Sequence, residues 1–123
     1  MDLIVYGQPV PKKRPRTTRQ GGKTWTYTPE QSAEYARAVK LLAKNAAVLN
    51  RLTPIPKGNP VKLSIKFTVK GKSTSTPDIV NLAAQIADAV EGIFYDNDSQ
   101  VVELHCFKQH GAKPRVYIKA EAV

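Results

Sequence analysis

The stretch from Val61 to Lys70 alternates strictly between apolar and polar side chains. The apolar set is Val61, Leu63, Ile65, Phe67 and Val69, and the polar set is Lys62, Ser64, Lys66, Thr68 and Lys70. Because successive side chains of a strand point to opposite faces, a period of two predicts a β-strand with one buried face. The lysines of the other face either keep a sheet surface in solution or bind phosphate. The sequence leaves both interpretations open.

Two amphipathic helices are predicted, one before and one after this strand. The first begins at the capping-box pattern of Thr28, Pro29 and Gln31 and ends near Asn50. Its predicted apolar stripe, at three- and four-residue spacing, is Tyr35, Val39, Leu42, Ala46 and Leu49. The second helix is predicted from about Pro77 to Glu91, with Thr76 as its cap. Its predicted polar stripe is Asp78, Asn81, Gln85 and Asp88.

Shorter apolar runs predict the remaining strands. They lie at Leu3–Tyr6, 24–27, Gln100–Lys108 and Arg115–Ala122, and the last two are expected to form a hairpin. The resulting order is β-(β)-α-β-α-β-β. The sequence therefore predicts one α+β domain over residues 1–123, with two helices packed on a small mixed β-sheet.

Charge is distributed unevenly along the chain. The net charge is +9 and the pI is near 9.8, which favours a polyanionic partner because lysine and arginine displace counterions from phosphates. A basic, proline-rich segment contains Lys12, Lys13, Arg14, Arg16 and Arg19, and we interpret it as a loop that contacts nucleic acid. Six of the ten acidic residues lie between Asp78 and Glu103. This acidic segment is either a metal site for nuclease chemistry or a solvated helix face.

Several classes of protein and site are disfavoured. The chain has no apolar run of about 18 residues and no secretion signal, so we expect a cytoplasmic protein without a membrane partner. The single cysteine, Cys106, excludes an intrachain disulfide and a cysteine-rich zinc site. No glycine-rich phosphate loop or Ser-His-Asp arrangement is present, so no small-molecule cofactor is expected.

The acidic segment resembles the signature of the RusA family of Holliday-junction resolvases. The family pattern is roughly P-D-x-D-N-L-x-K, then D-A-L-x-G, then D-D-x-Q-V. The matching stretches here run from Pro77 to Leu82, from Asp88 to Ile93 and from Asp96 to Val102, and the opening Gly7-Gln8-Pro9-Val10-Pro11-Lys12 is also similar. The resemblance implies a homodimeric, Mg²⁺-dependent endonuclease, with Mn²⁺ as a substitute, that cuts four-way DNA junctions in recombination and repair. Many members are encoded by phages, so the setting is a bacterial or phage-infected cell.

The resemblance also implies roles for single residues. Asp78 and Asp98 match catalytic, metal-binding aspartates, with Asp96 as a substitute ligand. Asn81 and Asp88 match positions that support the site. The DNA-binding set is expected to be Lys12, Lys13, Arg14, Arg16, Arg19, Lys62, Lys66, Lys70 and Lys72.

Two positions depart from the family pattern. Val80 stands where the family has its second motif aspartate, and Ala84 stands where it has a lysine. Valine cannot bind a metal ion, and alanine cannot stabilise charge on a phosphate. Three explanations fit: a member with lost activity, an engineered inactive variant, or a member that completes its site differently. The sequence favours an impaired site that still binds DNA, so a non-catalytic branched-DNA-binding protein is the alternative function.

A restriction-type nuclease is a third interpretation. It would use Pro77-Asp78 together with Glu103-Leu104-His105. This motif is short and ends in histidine instead of lysine.

Overall fold

The computed structural model describes residues 1–12, 28–71 and 77–123. The elements of this part are β1 (Asp2–Tyr6), α1 (Pro29–Leu49), β2 (Val61–Val69), α2 (Ile79–Val90), a 3-10 turn (Asp98–Gln100), β3 (Val101–His110) and β4 (Arg115–Ala122). Two helices and a four-stranded mixed sheet confirm the predicted α+β class. The brief strand predicted at residues 24–27 lies outside the described residues. Within the described ranges, no helix combines the length and the apolar character needed to cross a bilayer.

The strands are arranged in the order β1-β4-β2-β3. β4 is antiparallel to both of its neighbours, β1 and β2, whereas β2 and β3 are parallel. The predicted terminal hairpin of β3 and β4 is therefore wrong, because β2 lies between these two strands. The crossover through α2 returns the chain to the edge of the sheet where β2 begins, so β3 runs parallel to β2. β4 then pairs with the other side of β2, which separates it from β3.

Both helices cover the same face of the sheet. The five apolar residues of β2 are buried there, as are Val116, Ile118 and Ala120 of β4. The alternation predicted for β2 is confirmed, since its lysines lie on the opposite face. We call this opposite face, which carries Lys62, Lys66 and Lys70, the open face.

α1 begins as predicted but buries a different side. Thr28 Oγ1 accepts from the Gln31 N–H, and the Gln31 side chain accepts from the Thr28 N–H, which completes the capping box. The buried positions are Ser32, Val39, Ala43 and Ala47, whereas Leu42 and Leu49 are 41% and 82% exposed. The predicted stripe is thus confirmed at Tyr35 and Val39, and its C-terminal half is wrong by about one residue, or 100° around the helix axis. Small side chains allow α1 to lie close to α2, and burial of leucines there would separate the helices.

α2 is anchored to α1 by a buried amide. Gln85 Nε2 donates to the Ser32 carbonyl at 2.7 Å. This bond satisfies the buried Gln85 amide, which would destabilise the fold if it had no partner. Gln85 is only 3% exposed, so the polar stripe predicted for α2 is wrong at its centre. The N-cap of α2 is Asp78 instead of the predicted Thr76.

Candidate functional site

Three acidic residues, Asp88, Glu91 and Asp98, lie in the last turn of α2, at its C-cap and in the turn that follows. Glu91 is the C-cap of α2, and its Oε2 accepts a hydrogen bond from the Asp98 backbone N–H at 2.7 Å. The Tyr95 side chain is buried nearby, and its hydroxyl donates to the Ala87 carbonyl at 2.7 Å. Burial raises the pKa of this hydroxyl, and the negative charges of Glu91, Asp98 and Asp88 raise it further. All three acidic groups therefore lie within electrostatic reach of one phenol, and we call them the carboxylate cluster.

Asp78 lies at the opposite end of α2. Its Oδ1 accepts from the Asn81 backbone N–H at 2.8 Å, and its Oδ2 accepts from the Asn81 side-chain amide at 3.0 Å. Ten residues separate Asp78 from Asp88, which corresponds to about 15 Å of helix rise. Asp98 is held by Glu91 beyond that point. The structure thus does not bring Asp78 and Asp98 of one chain to a shared ion, and their separate roles stay predictions.

The turn that carries Asp98 is fixed by its neighbours. Asn97 Oδ1 accepts from the Ser99 N–H at 2.9 Å and caps the 3-10 turn. Asp96 Oδ2 accepts from the Lys57 backbone N–H at 3.0 Å, so this carboxylate holds the proline-rich loop at residues 54–60. Gln100, the glutamine of the family motif, is buried and binds the same loop through its side-chain amide. Asp96 and Gln100 therefore have clear structural roles beside the carboxylate cluster.

The two departures from the family pattern lie on the side of α2 that leads to Asp88. Val80 is 61% exposed, an unusual position for a valine, and Ala84 is half-buried. Asp88 follows Ala84 by four residues and forms an exposed ion pair with Lys12 Nζ. The Lys12 backbone N–H donates to the Asn81 carbonyl at 3.1 Å. The start of the basic segment is thus held against α2.

The predicted DNA-binding residues fall into three groups. Lys13, Arg14, Arg16, Arg19 and Lys72 lie outside the described residues. Lys12 lies on α2, next to the carboxylate cluster. Lys62, Lys66 and Lys70 lie on the open face, on the other side of the sheet from both helices. The lysines of β2 and the carboxylates of α2 therefore cannot contact the same short stretch of DNA phosphates on one chain.

The open face also contains two residues of the restriction-type motif, Glu103, which pairs with Lys62, and His105. His105 pairs in register with Ser64, so it shares the face of the β2 lysines. Lys66 Nζ lies 6.0 Å from the centre of the Phe107 ring on the same face. Asp78 is on the helical side of the sheet, so the structure does not bring Asp78 and His105 together. His110 lies at the end of β3, where its Nδ1 contacts the Gly71 carbonyl.

The carboxylate cluster fits a divalent cation in donor type. Mg²⁺ prefers oxygen ligands, and it commonly uses one or two carboxylates together with waters and substrate phosphates. The Glu91 carboxylate binds the Asp98 backbone N–H, and each of these two residues has a carboxylate of the required type. Within residues 1–12, 28–71 and 77–123, no three acidic, histidine or cysteine side chains form a ready-made metal cage. Two carboxylates alone do not complete the coordination of such an ion, so the remaining ligands would have to come from water or from a substrate.

Comparison with known proteins decides the family. The chain matches the sequence model described as Endodeoxyribonuclease RusA over residues 6–121. The chain belongs to the RusA family. It is also 31% identical to the uncharacterized protein YqaN of Bacillus subtilis, over all of this chain and 99% of that protein. RusA membership indicates a nuclease that acts on DNA, in a family that generally depends on a divalent metal ion.

Sequence reasoning missed one residue of this site, Glu91, and one pairing, that of Lys12 with Asp88. Glu91 follows Asp88 by three residues, a spacing that places both on one side of a helix, so a signal was present. The pairing of Lys12 with Asp88 joins residues 76 positions apart, and no local pattern predicts it. This pairing depends on how the N-terminal segment crosses α2.

Proposed function

We propose that this protein is a metal-dependent endonuclease that resolves four-way DNA junctions. The observation that carries the proposal is the carboxylate cluster, in which the family's Asp98 is joined by Glu91 at the end of α2. A cationic chain with a local group of carboxylates suits this chemistry, because the cations bind the polyanion and the carboxylates hold the ion. With such a substrate, we expect the protein to act in the cytoplasm of a bacterial or phage-infected cell.

Asp98 and Glu91 would hold the ion, Mg²⁺ with Mn²⁺ as a substitute. When bound, it supplies Lewis-acid activation of the phosphodiester and lowers the pKa of the attacking water. Asp88 holds the Lys12 ammonium beside the cluster. Gln100 and Asn97 keep the turn in place, so that Asp98 is positioned before the substrate arrives. Asp78 caps α2, and we retain it as a separate catalytic candidate on the strength of the family motif.

The DNA would be bound by the basic segment that begins at Lys12, with the β2 lysines contacting a different arm. A homodimer suits this activity, since paired cuts in a four-way junction require two sites related by a twofold axis.

The test is cleavage of a synthetic four-way junction with Mg²⁺, beside a linear duplex of the same sequence and a reaction with EDTA. Asp98→Asn is expected to lower the cleavage rate at least about 100-fold, or roughly 2.7 kcal/mol, while junction affinity changes little. Glu34→Gln is the matched control, because Glu34 is an exposed carboxylate on α1, away from the cluster. Equal cleavage by the wild type and Asp98→Asn would remove Asp98 from the site.

The alternative is a protein that binds branched DNA without cutting it. The exposed Val80 and the separation of Asp78 from Asp98 favour it. Junction binding stronger than duplex binding at matched salt, with no cleavage by any divalent metal, would establish this alternative. Equal affinity for junction and duplex would argue against both functions.

A further inference from the structure

Lys12 is attached to α2 at two points. Its backbone N–H donates to the Asn81 carbonyl, and its side-chain ammonium pairs with Asp88. Asn81 and Asp88 are seven residues apart, which is about two helical turns and about 10 Å of rise. The Lys12 side chain therefore runs along one side of α2 toward its C-terminus.

Ala84 lies within this span. It follows Asn81 by three residues and precedes Asp88 by four, and such spacings place residues on one side of a helix. A lysine at position 84, where the family motif has one, would have Asp88 as its i+4 neighbour. The ammonium of Lys12 already occupies that carboxylate. Two different chain positions thus bring a lysine ammonium to the same place.

We propose that Lys12 supplies, from the N-terminal segment, the catalytic cation that the family motif places at position 84. This proposal rests on the proposed function, and it selects one of the three explanations for the departures: a site completed differently. The half-buried Ala84 suits this arrangement, because a long side chain there would compete with Lys12 for space and for Asp88. Asp88 then acts as a positioning residue, and Lys12 contacts the phosphate that is cut.

Stability does not explain the Lys12–Asp88 pair. The two side chains are 49% and 43% exposed, and an ion pair at this exposure contributes at most about 1 kcal/mol to folding. Preorganised positive charge beside a reacting phosphate has a much larger effect, because it stabilises charge that develops only in the transition state. Replacement of Lys12 is accordingly expected to leave the fold intact.

The experiment moves the lysine from one position to the other. Lys12→Ala is expected to lower the single-turnover cleavage rate of a four-way junction about 100- to 1,000-fold. Its junction affinity, measured in Ca²⁺, should fall only a few-fold, as for the loss of one phosphate contact. The double variant Lys12→Ala/Ala84→Lys should recover most of the lost rate. Lys113→Ala removes an equal charge from the exposed turn between β3 and β4 and is the matched control.

Three results would overturn the proposal. The first is a Lys12→Ala rate within about threefold of an active wild type. The second is a rate loss matched by an equal loss of affinity, with no recovery from Ala84→Lys, which would make Lys12 an ordinary DNA contact. The third is a wild type that cleaves no branched DNA, which would remove the proposed function as well. The first two results leave the nuclease assignment standing, so the two failures are distinguishable.

Discussion

Gln100 is the residue whose replacement tests the architecture of the site most directly. Its Oε1 accepts from the Asn97 N–H at 2.8 Å, and its Nε2 lies 3.1 Å, 2.9 Å and 3.0 Å from the carbonyl oxygens of Ile55, Pro56 and Asn59. The side chain is 6% exposed. Gln100→Leu keeps a similar volume but removes every one of these hydrogen bonds. The turn that carries Asp98 then loses its connection to the proline-rich loop.

The expected loss in the free energy of unfolding follows from the number of hydrogen bonds that Gln100→Leu removes. The two N–H donors of the Gln100 amide are removed from the loop carbonyls, and the Asn97 N–H loses its acceptor; each of these three bonds contributes about 1 kcal/mol net. Gln100→Leu should therefore lower the free energy of unfolding by about 3 kcal/mol, which for a chain of this length is about 12 °C in Tm. Junction cleavage should also fall at temperatures where the variant is fully folded, because Asp98 is no longer held in place.

Urea unfolding followed by circular dichroism measures this cost, with an unchanged m-value as the check for two-state behaviour. Gln109→Leu is the matched control, since Gln109 donates a single bond to Thr68 Oγ1 at 3.2 Å and should cost at most about 1 kcal/mol. A Gln100→Leu cost no larger than that of the control would refute the reasoning.

Gln100→Glu refines the same prediction through pH. A carboxylate facing three carbonyl oxygens favours its protonated form, so folding raises the pKa of the introduced group above about 4.3. Stability of this variant should be greatest below that pH and should decrease as pH rises through the folded-state pKa. The wild type should show no such dependence from this position.

The remaining predictions concern single side chains. Asp78→Asn should preserve α2, because asparagine caps helices as well as aspartate does. Asp78→Ala should lower the free energy of unfolding by about 1 kcal/mol. A loss of cleavage in Asp78→Asn, without a loss of stability, would show that the charge is needed. Asp88→Asn should lower cleavage by less than Lys12→Ala does, since the Lys12 backbone still binds Asn81; an effect larger than that of Lys12→Ala would contradict a positioning role. Tyr35→Phe should leave stability unchanged or raise it by up to about 1 kcal/mol in thermal unfolding, because the buried Tyr35 hydroxyl has no hydrogen-bond partner in the described part of the chain. Burial raises the pKa of the Tyr35 and Tyr95 hydroxyls, so their contribution to stability is complete below about pH 10 and is lost at higher pH; ultraviolet titration should show both ionising only as the protein unfolds.

Local signals predicted the fold where local physics determines it. The capping box at Thr28 and the alternation of β2 are confirmed because each depends on residues within one element. The stripe of α1 was misplaced because hydrophobicity favours Leu42 and Leu49, whereas close helix packing selects Ala43 and Ala47. The hairpin was wrong because β2 pairs with β3 on one edge and with β4 on the other, a pairing of distant segments that no local pattern predicts.

For the candidate site, the sequence predicts which residues take part but not how they are arranged in space. Motif spacing predicts Asp78 and Asp98 as site residues, which stays a prediction, and it carries no information on the direction of α2, which places these residues at opposite ends. The position of Lys12 depends on the path of the N-terminal segment over α2, and that path is a property of the whole fold. Distances between the candidate residues could therefore not be predicted from the motif.

The position of β4 in the sheet has a kinetic consequence. β4 is the last strand of the described chain, and it pairs with both β1 and β2; the N-terminal ammonium also donates to the Ala120 carbonyl. β1 is therefore synthesised more than a hundred residues before β4, its strand partner. At ordinary translation rates this interval is roughly ten seconds. Closure of so long a loop makes the final step of folding slow. Nascent chains stalled before β4 should remain sensitive to proteases, and protection should appear only once this strand has left the ribosome.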